Sequence, residues 1–510
     1  MSKPRRGASL VAAGIMLSRL AGMVRDRIFG HYFGLSAFAD AFRVAIRVPN
    51  TLQNLFGEGV LSASFIPVYA GLLAHGEPEE AGQVAGAVFA ILSLFTSVLV
   101  ALGVLATPLV IGFIATGLDP ARRELAIPLV RIFFPGAGLL VMSAWCLGIL
   151  NSHRKFFLSY SAPVLWNLIM IGALIVFGPH MKLDRLSIVV AWASVAGSAA
   201  QFFVQLPFVL RLVPSLRIQF AFDHESVRTV IHNFVPVFVS RGVVQLSALV
   251  DLWLASFLPY GAIAALSNAQ TLYLLPVSLF GMSVSASELP EMSSAVGSDS
   301  QVAEFLVTRL TSGLRRIALL VIPSAVAFVA LGDVVAGAIY QTGKFTAADT
   351  RYVWAILAGS GVGLLASTQG RLYSSAFYAL KDTRTPLRFA VIRVLLTTVL
   401  GYLCALPLPH LLGIDAKWGA AGLTASAGIS GWIEFLLLRH ALAKRIGSAL
   451  VGVSWTLRLW SAAIIAAAVA WAIKLHWPIH QPQLAAAATL VPFAAIYILL
   501  SGPGQWKSIR

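Results

Sequence analysis

The chain has 510 residues, of which 58% are hydrophobic and only 11% are charged, and its mean hydropathy is +0.83. Soluble domains carry about 25% charged residues, so the composition excludes an ordinary soluble protein and indicates a helical integral membrane protein. The formal charge of +16 indicates basic loops near anionic lipid headgroups rather than nucleic acid binding.

At about 20 residues per span, the long apolar segments predict an all-α integral membrane fold with fourteen transmembrane helices. We predict helices at 8–30, 37–72, 83–115, 125–151, 157–178, 187–212, 226–258, 262–294, 304–331, 350–379, 386–407, 417–442, 454–475 and 483–501. Residues 1–215 are expected to form a six-helix N-lobe and 216–446 a six-helix C-lobe around a central cavity, followed by a C-terminal helix pair in 447–510.

Basic residues are distributed unequally between the two sides of this predicted arrangement. The richer side contains Lys3, Arg5, Arg6, Arg154, Lys155, Arg211, Arg217, Arg228, Arg309, Arg315, Arg316, Lys381, Arg384, Arg388, Arg439, Lys444, Arg445, Lys507 and Arg510. The opposite side contains Arg122, Arg123, Lys182, Arg185, Lys344, Arg351 and Lys417. The positive-inside rule makes the richer side cytoplasmic, together with both termini.

A weak internal repeat relates the second and eighth predicted helices. Gly34 precedes Pro49 by the same interval as Gly261 precedes Pro276. Both prolines fall inside predicted helices, where proline removes a backbone hydrogen bond, so we expect kinks there. Repeated six-helix bundles with a substrate site between them are typical of transporters.

The stretch from Ser18 to Glu58 is unusually charged for a membrane segment. At 100° per residue, the polar residues of the second helix form one stripe that consists of Asp40, Arg43, Arg47, Asn54 and Glu58, and Asn50 lies next to it. On the first helix, Arg19 and Asp26 share a face, and Arg25 lies about 120° from Arg19. Intramembrane charges usually face a bundle interior or an aqueous cavity, so these residues predict a cavity wall.

Two interpretations of this charged stretch remain open. The carboxylates of Asp26, Asp40 and Glu58 could neutralise neighbouring arginines in a structural salt-bridge network. Alternatively, the arginines bind an anionic substrate, which the excess of basic over acidic residues favours. The guanidinium fork matches phosphate oxygens, so this second interpretation predicts a phosphate-bearing ligand.

Several motifs resemble the MurJ/MviN family, the lipid II flippases of the multidrug/oligosaccharidyl-lipid/polysaccharide exporter superfamily. They are SRLAGMVRDRIFGHYFG, ADAFRVAIRVPNTLQNLFGEGVLSASFIPVY, QTGKFTAADT and YALKDTRTP. The resemblance implies alternating access between two lobes, and a lipid-tail groove formed by helices 13 and 14. It also implies cavity positions at Arg19, Arg25, Asp26, Asp40, Arg47, Asn50, Glu58 and Arg371.

The chain departs from this family pattern at several polar positions. Gln53 stands where the family commonly has an arginine, and Gln270 and Thr271 stand where an aspartate and an arginine are usual. Conversely, charged residues stand at three positions where the family more often has apolar residues: Arg43, Arg241 and Glu288. We hypothesise that Arg241 replaces the missing charge of helix 8 across the cavity and contributes to substrate binding.

No phosphate-binding loop of a nucleotide hydrolase is present, so coupling to sodium, protons or the membrane potential is expected. Asp251, the lone acid of the seventh helix, is a candidate coupling site; the alternative is a helix-terminal residue near water with no binding role. Cys146 and Cys404 lie in separate apolar runs and histidines lack ligand spacing. We therefore expect no cofactor and no metal.

The resulting expectation is a flippase of the bacterial cytoplasmic membrane that moves lipid II outward for cell-wall synthesis and performs no covalent chemistry. Its expected partners are lipid II or a related undecaprenyl-pyrophosphate glycolipid, membrane lipids and cell-wall synthesis proteins, and not nucleic acid. Three alternatives remain: a flippase for another polyprenyl-pyrophosphate oligosaccharide, a cation-coupled drug exporter and a non-transporting scaffold. The arginine excess argues against the exporter, because cationic drugs favour acidic and aromatic cavities.

Overall fold

The computed structural model describes residues 3–449, 451–477, 479, 481–502 and 505–506, and the side chains of 3–12, 58, 240, 243 and 244 lie outside the described part. Across these residues the secondary structure is helical, as predicted, apart from one isolated bridge between Thr342 and Phe345. The helices are α1 (Lys3–Phe33), α2 (Ala37–Phe56), α3 (Glu58–His75), α4 (Pro78–Leu105), α5 (Thr107–Ile114), α6 (Pro120–Ser152), α7 (Phe156–Phe177), α8 (Leu183–Leu212), α9 (Glu225–Ser256), α10 (Ala262–Pro276), α11 (Ser283–Ser293), α12 (Asp299–Tyr340), α13 (Ala347–Ala379), α14 (Arg384–Ala405), α15 (Pro407–Leu411), α16 (Gly419–Ile446), α17 (Val453–His476) and α18 (Pro482–Ser501).

Eleven helical segments of the described chain are long and apolar enough to cross a membrane. Three other helices, α1, α9 and α13, have comparable lengths of 31, 32 and 33 residues but are not among those eleven segments. Each of the three contains an arginine, at Arg19, Arg241 and Arg371. Their lengths would suffice to cross a bilayer.

Three predicted helices are interrupted in the structure. The predicted helix 37–72 divides at Gly57 into α2 and α3, although Pro49 lies inside α2. The predicted helix 83–115 divides into α4 and α5 at Ala106. In the predicted helix 262–294, a π-helical turn (Val277–Met282) follows Pro276 directly, which fits the loss of a backbone donor at proline.

The two repeated helices begin in the same way. Gly34 and Gly261 both adopt a left-handed backbone conformation, with φ of 56° and 84°. This conformation strains residues that carry a Cβ, so glycine is required at both turns. Ser36 then caps α2 by accepting a hydrogen bond from the backbone N–H of Ala39 at 3.3 Å. The shared turn geometry supports the repeat that the glycine–proline spacing predicts.

The helices form two compact units, Met1–Ser256 and Phe257–Arg510. In the first unit, Trp145 of α6 is fully buried in an apolar core with residues of α3, α4, α8 and α9. Its indole N–H donates to the backbone oxygen of Ala85 at 3.1 Å. Helix α9 packs against α2, α3, α4 and α5 and therefore belongs to this unit by its contacts. The division into lobes at 215 and 446 stays a prediction.

In the second unit, α13 packs closely against α12 and α16, while α17 and α18 pack on α12 and on each other. Glycines allow the α13–α16 approach: a Cβ on Gly428 would lie 2.9 Å from the backbone nitrogen of Gly363. Small residues at such crossings are typical of membrane helix pairs. Glu288 of α11, a departure from the family pattern, is buried and paired with Arg309 at 2.9 Å and Arg316 at 3.5 Å.

A pH-dependent contribution to stability is expected from His153, which follows α6 and lies 2.9 Å from the hydroxyl of Tyr69. Burial, together with the nearby Lys155 ammonium, lowers the pKa of His153 below its usual 6.5. Folding therefore favours neutral imidazole, and this contribution is complete above about pH 6.5 and is lost as the pH falls through the lowered pKa. We expect His153→Gln to lose less thermal stability than the wild type between about pH 7.5 and pH 5. Equal losses would contradict this expectation.

Candidate functional site

The first charged cluster joins α1, α2 and α7 around the carboxylate of Asp26, whose side chain is 4% exposed. Arg25 donates to this carboxylate at 2.9 Å, and Arg43 of α2 donates at 3.2 Å. Arg25 also donates to the side-chain oxygen of Asn167 at 3.0 Å and lies 4.8 Å from the ring centre of Trp166. Two guanidiniums thus share one carboxylate, which leaves this group formally positive.

The second cluster surrounds Asp40, whose side chain is completely buried at the start of α2. Arg122 of α6 donates to Asp40 at 3.2 Å and to Asp119 at 2.5 Å. The predicted helix begins at residue 125 and leaves Arg122 before its start, whereas α6 begins at Pro120. Asp119 caps the helix and proline fits its first position, so Arg122 belongs to the first helical turn and its side chain is only 5% exposed.

The third cluster lies between α2 and α9. The amide of Asn54 donates to the side-chain oxygen of Gln245 at 3.2 Å. About two turns earlier on α2, Arg47 is half-buried, whereas Asp251 of α9 is exposed. A role of Asp251 in ion coupling stays a prediction.

Arg241 of α9 is exposed, and its guanidinium lies against the backbone of Gly59 at the start of α3. The neighbouring carboxylate of Glu58, a predicted site residue, lies outside the described part of the structure. Gln270, which occupies a usually charged position, is exposed on α10. The hypothesis that Arg241 replaces the missing charge of the eighth helix stays a prediction.

Other predicted site residues occupy more accessible positions. Arg19 is exposed on α1 and Asn50 is half-buried on α2 in the first unit. Arg371 is exposed on α13 in the second unit. The structure places Asp26 and Asp40 in internal salt bridges, while binding of an anionic substrate by the arginines stays a prediction.

Sequence reasoning missed Arg122, Asn167, Trp166 and Gln245 as partners of the charged stretch. Periodicity places residues around one helix, but it does not identify which other helix faces them. Asn167 carried a usable signal, since it is the lone polar residue in the apolar run VLWNLIM. An isolated polar group in a membrane helix usually needs a hydrogen-bonding partner.

An apolar cavity of about 320 Å³ lies in the second unit between α10, α12 and α18. Its walls include Leu272, Phe280, Phe328 and Phe493, and every lining residue except Ser324 is apolar. A cavity of this composition suits a hydrocarbon chain and not a charged headgroup. Across the described residues, no cluster of three His, Cys, Asp or Glu side chains could hold a metal ion.

Comparison with known proteins gives a consistent result over nearly the full length. The family model described as lipid II flippase MurJ matches residues 29–486. The chain is 32% identical to the lipid II flippase MurJ of Burkholderia cenocepacia, with 96% of each chain covered. It is 30% identical to the probable lipid II flippase MurJ of Bdellovibrio bacteriovorus, covering 87% of this chain and 82% of that relative.

Solved structures show the same similarity. A structure of the lipid II flippase MurJ in an inward closed conformation has a TM-score of 0.80 and 25% identity, covering 98% of this chain and all of that one. An inward-facing multidrug transporter of the MATE family shares the fold at 18% identity and a TM-score of 0.68, covering 86% of this chain and 98% of that one. The chain therefore belongs to the MurJ family of lipid II flippases.

Proposed function

We propose that this protein flips lipid II, an undecaprenyl-pyrophosphate-linked peptidoglycan precursor, from the cytoplasmic to the outer leaflet of the bacterial membrane. The observation that carries this proposal is the similarity to a lipid II flippase across 96% of both chains. The accessible arginines on α1 and α2 supply the chemistry that such a headgroup needs. A guanidinium binds phosphate oxygens through paired hydrogen bonds.

The proposed membrane arrangement has fourteen spans. To the eleven apolar segments we add α1, α9 and α13, whose lengths suffice to cross a bilayer. An even number of spans places both termini on one side, which is the cytoplasmic side by the distribution of Lys and Arg.

In the proposed binding mode, the pyrophosphate is attracted by Arg19, Arg25, Arg43 and Arg47, while the polyprenyl tail stays in an apolar environment. The apolar cavity between α10, α12 and α18 has suitable walls for part of that tail. Because the headgroup interaction is electrostatic, screening by salt should weaken it. No covalent bond is made or broken, and alternating access moves the headgroup.

The energy source belongs to this proposal as well. Sodium, protons or the membrane potential would drive the cycle, since a doubly charged pyrophosphate responds to the transmembrane potential as well as to local cations. Cell-wall synthesis proteins on the outer side of the membrane would then consume the transported lipid II.

Genetic rescue tests the proposed function. We expect the wild-type protein to support growth of a bacterium depleted of its own lipid II flippase, and Arg19→Gln, Arg47→Gln in combination to fail. Arg351→Gln is the matched control and should rescue, since Arg351 is exposed near the start of α13. Rescue by the double variant at equal expression would favour a scaffold role, and drug resistance without rescue would favour an exporter.

A binding experiment separates lipid II from related substrates. Native mass spectrometry with purified protein should show binding of lipid II that weakens as ionic strength rises. Stronger binding of another undecaprenyl-pyrophosphate oligosaccharide under the same conditions would reassign the headgroup while keeping the flippase function.

A further inference from the structure

The loop between α8 and α9, residues 213–224, exposes three large apolar side chains at alternate positions. Ile218 is 65% exposed, Phe220 is 56% exposed and Phe222 is 53% exposed. The rings of Phe220 and Phe222 are nearly parallel, with their centres 6.1 Å apart. We call these three residues the loop apolar group. Single apolar side chains are common on a protein surface, but an exposed group outside the membrane-spanning helices indicates an interaction surface.

The loop backbone lies directly on the beginning of α4. A Cβ on Gly82 would overlap the hydroxyl of Ser215, and a Cβ on Gly86 would overlap the backbone oxygen of Arg217. The hydroxyl of Ser215 also donates to the backbone oxygen of Pro78 at 2.9 Å. Glycine at both positions of α4 therefore allows a close contact that side chains would prevent.

The other end of the loop is held on the same helix. Ser226, in the first turn of α9, donates to the carboxylate of Glu80 at 2.7 Å. The imidazole of His224 lies 3.7 Å from the same carboxylate. Contacts on both sides of the loop apolar group therefore fix its position relative to α4.

The sequence of α4 shows at which depth of a membrane this contact occurs. Residues 87–105 carry no charge and are about 28 Å long at 1.5 Å per residue, close to the thickness of about 30 Å of a hydrocarbon core. The acidic residues Glu79 and Glu80 precede this segment. Gly82 and Gly86, together with the loop backbone that lies on them, therefore come at the boundary between hydrocarbon and headgroups.

Charge and continuity favour a lipid surface as the partner of this loop. Arg211 in the last turn of α8 and Arg217 beside Ile218 are both exposed. Phe208 and Leu210 extend the exposed apolar surface of α8 to the loop. Apolar side chains with basic neighbours are typical of segments that lie in the interface of anionic membranes. A soluble partner would need the loop to project beyond the headgroups, whereas the contacts with α4 keep it at their level.

We propose that the α8–α9 loop is a lipid-binding surface. Ile218, Phe220 and Phe222 enter the boundary between headgroups and acyl chains of the cytoplasmic leaflet, and Arg217 binds the phosphate of an anionic phospholipid. The inference rests on the membrane arrangement given under the proposed function, but it does not depend on which substrate is transported. Because the loop leads directly into α9, this contact also holds the start of α9 at the membrane surface.

The first test measures the depth of the loop apolar group. Phe220→Cys, in a background that carries Cys146→Ala and Cys404→Ala, is labelled with the fluorophore NBD and reconstituted in vesicles of phosphatidylcholine and phosphatidylglycerol. We expect strong quenching by lipids with a nitroxide near the top of the acyl chain, and weak quenching by iodide present on both sides. Asp223→Cys, at a fully exposed position of the same loop, is the matched control and should show severalfold stronger iodide quenching. Strong iodide and weak nitroxide quenching at position 220 would overturn the proposal and favour a soluble protein or a second copy as the partner.

The second test concerns the charge of the lipid. Vesicles without phosphatidylglycerol should increase iodide quenching at position 220 by about twofold, because the attraction to the arginines is lost. Arg211→Gln and Arg217→Gln in combination should remove this dependence on lipid composition. Equal quenching of the labelled parent protein in both kinds of vesicle would overturn the assignment of an anionic lipid.

The third test concerns the contact with α4. Gly86→Ala should release the loop from its fixed depth, since the added Cβ overlaps the backbone oxygen of Arg217. We expect the contrast between the two quenchers at position 220 to decrease at least severalfold. Gly71→Ala on α3 is the matched control, because a Cβ there meets open space. Equal contrast in the two variants would show that α4 does not set the depth of the loop. None of these measurements requires transport of lipid II, so failure of the proposed substrate would leave their outcome unchanged.

Discussion

Replacing Arg122 with methionine is expected to destabilise the protein by about 3–5 kcal/mol, the cost of removing one partner from a buried ion pair. Asp40 is completely buried and lies 3.2 Å from the Arg122 guanidinium. Arg122 also binds Asp119, the residue that caps α6. The substitution therefore weakens a helix start as well as the contact between α2 and α6. Thermal unfolding of the purified protein in detergent measures the loss.

The adjacent arginine provides a matched control for this substitution. Arg123 is exposed, and its guanidinium donates to the backbone oxygen of Pro108 at 3.3 Å. We expect Arg123→Met to change stability by less than about 0.5 kcal/mol, as is usual at exposed positions. Adding Asp40→Asn to Arg122→Met should recover part of the loss, because the buried group is then neutral. Similar losses for the Arg122 and Arg123 variants would contradict the assignment of a buried pair.

Adding one methyl group at Gly363 is expected to destabilise the second unit by about 1–3 kcal/mol, the usual cost of overpacking. A Cβ at this position would overlap the Cα of Gly428, so α13 and α16 would have to separate. Backbone atoms cannot rotate away as a flexible side chain can. The same method, thermal unfolding in detergent, should show a lower transition temperature for Gly363→Ala.

Gly370 on the same helix supplies the control with the opposite sign. A Cβ there would meet only the methyl group of Leu438, at 3.9 Å. Alanine has a higher helix propensity than glycine, so Gly370→Ala should raise stability by up to about 1 kcal/mol. Gly428→Ala should resemble Gly363→Ala, since it approaches the same crossing from the other helix. Equal stability of the Gly363 and Gly370 variants would exclude a close crossing at this point.

Hydropathy and turn residues predicted the all-α membrane fold and the order of the helices, because both signals are local. Interruptions were harder to place: the second predicted helix divides at Gly57, whereas the more obvious breaker, Pro49, stays inside α2. Proline is compatible with a continuing helix when neighbouring groups satisfy the released carbonyl. The start of α6 was also placed too late, because the capping role of Asp119 was not recognised.

The charged residues of the candidate site could be predicted from the sequence, but the residues that pair with them could not. Helical periodicity placed Asp40, Arg43 and Arg47 on one face of α2, and Arg19 with Asp26 on one face of α1. Their partners come from distant parts of the chain, as with Arg122 for Asp40. One sequence carries no direct information about which helices meet, so these pairings required the structure. The positions of substrate and coupling ion stay predictions.

The packing of α1 has a consequence for biogenesis. Helix α1 contains Arg19, Arg25, Asp26 and Arg27, and charged residues partition weakly into lipid. It packs mainly against α7, which is synthesised only after α2 to α6, on the order of ten seconds later. Arg25 therefore gains Asn167 and Trp166, its partners on α7, only when six of the eight later helices of the first unit, α2 to α7, exist.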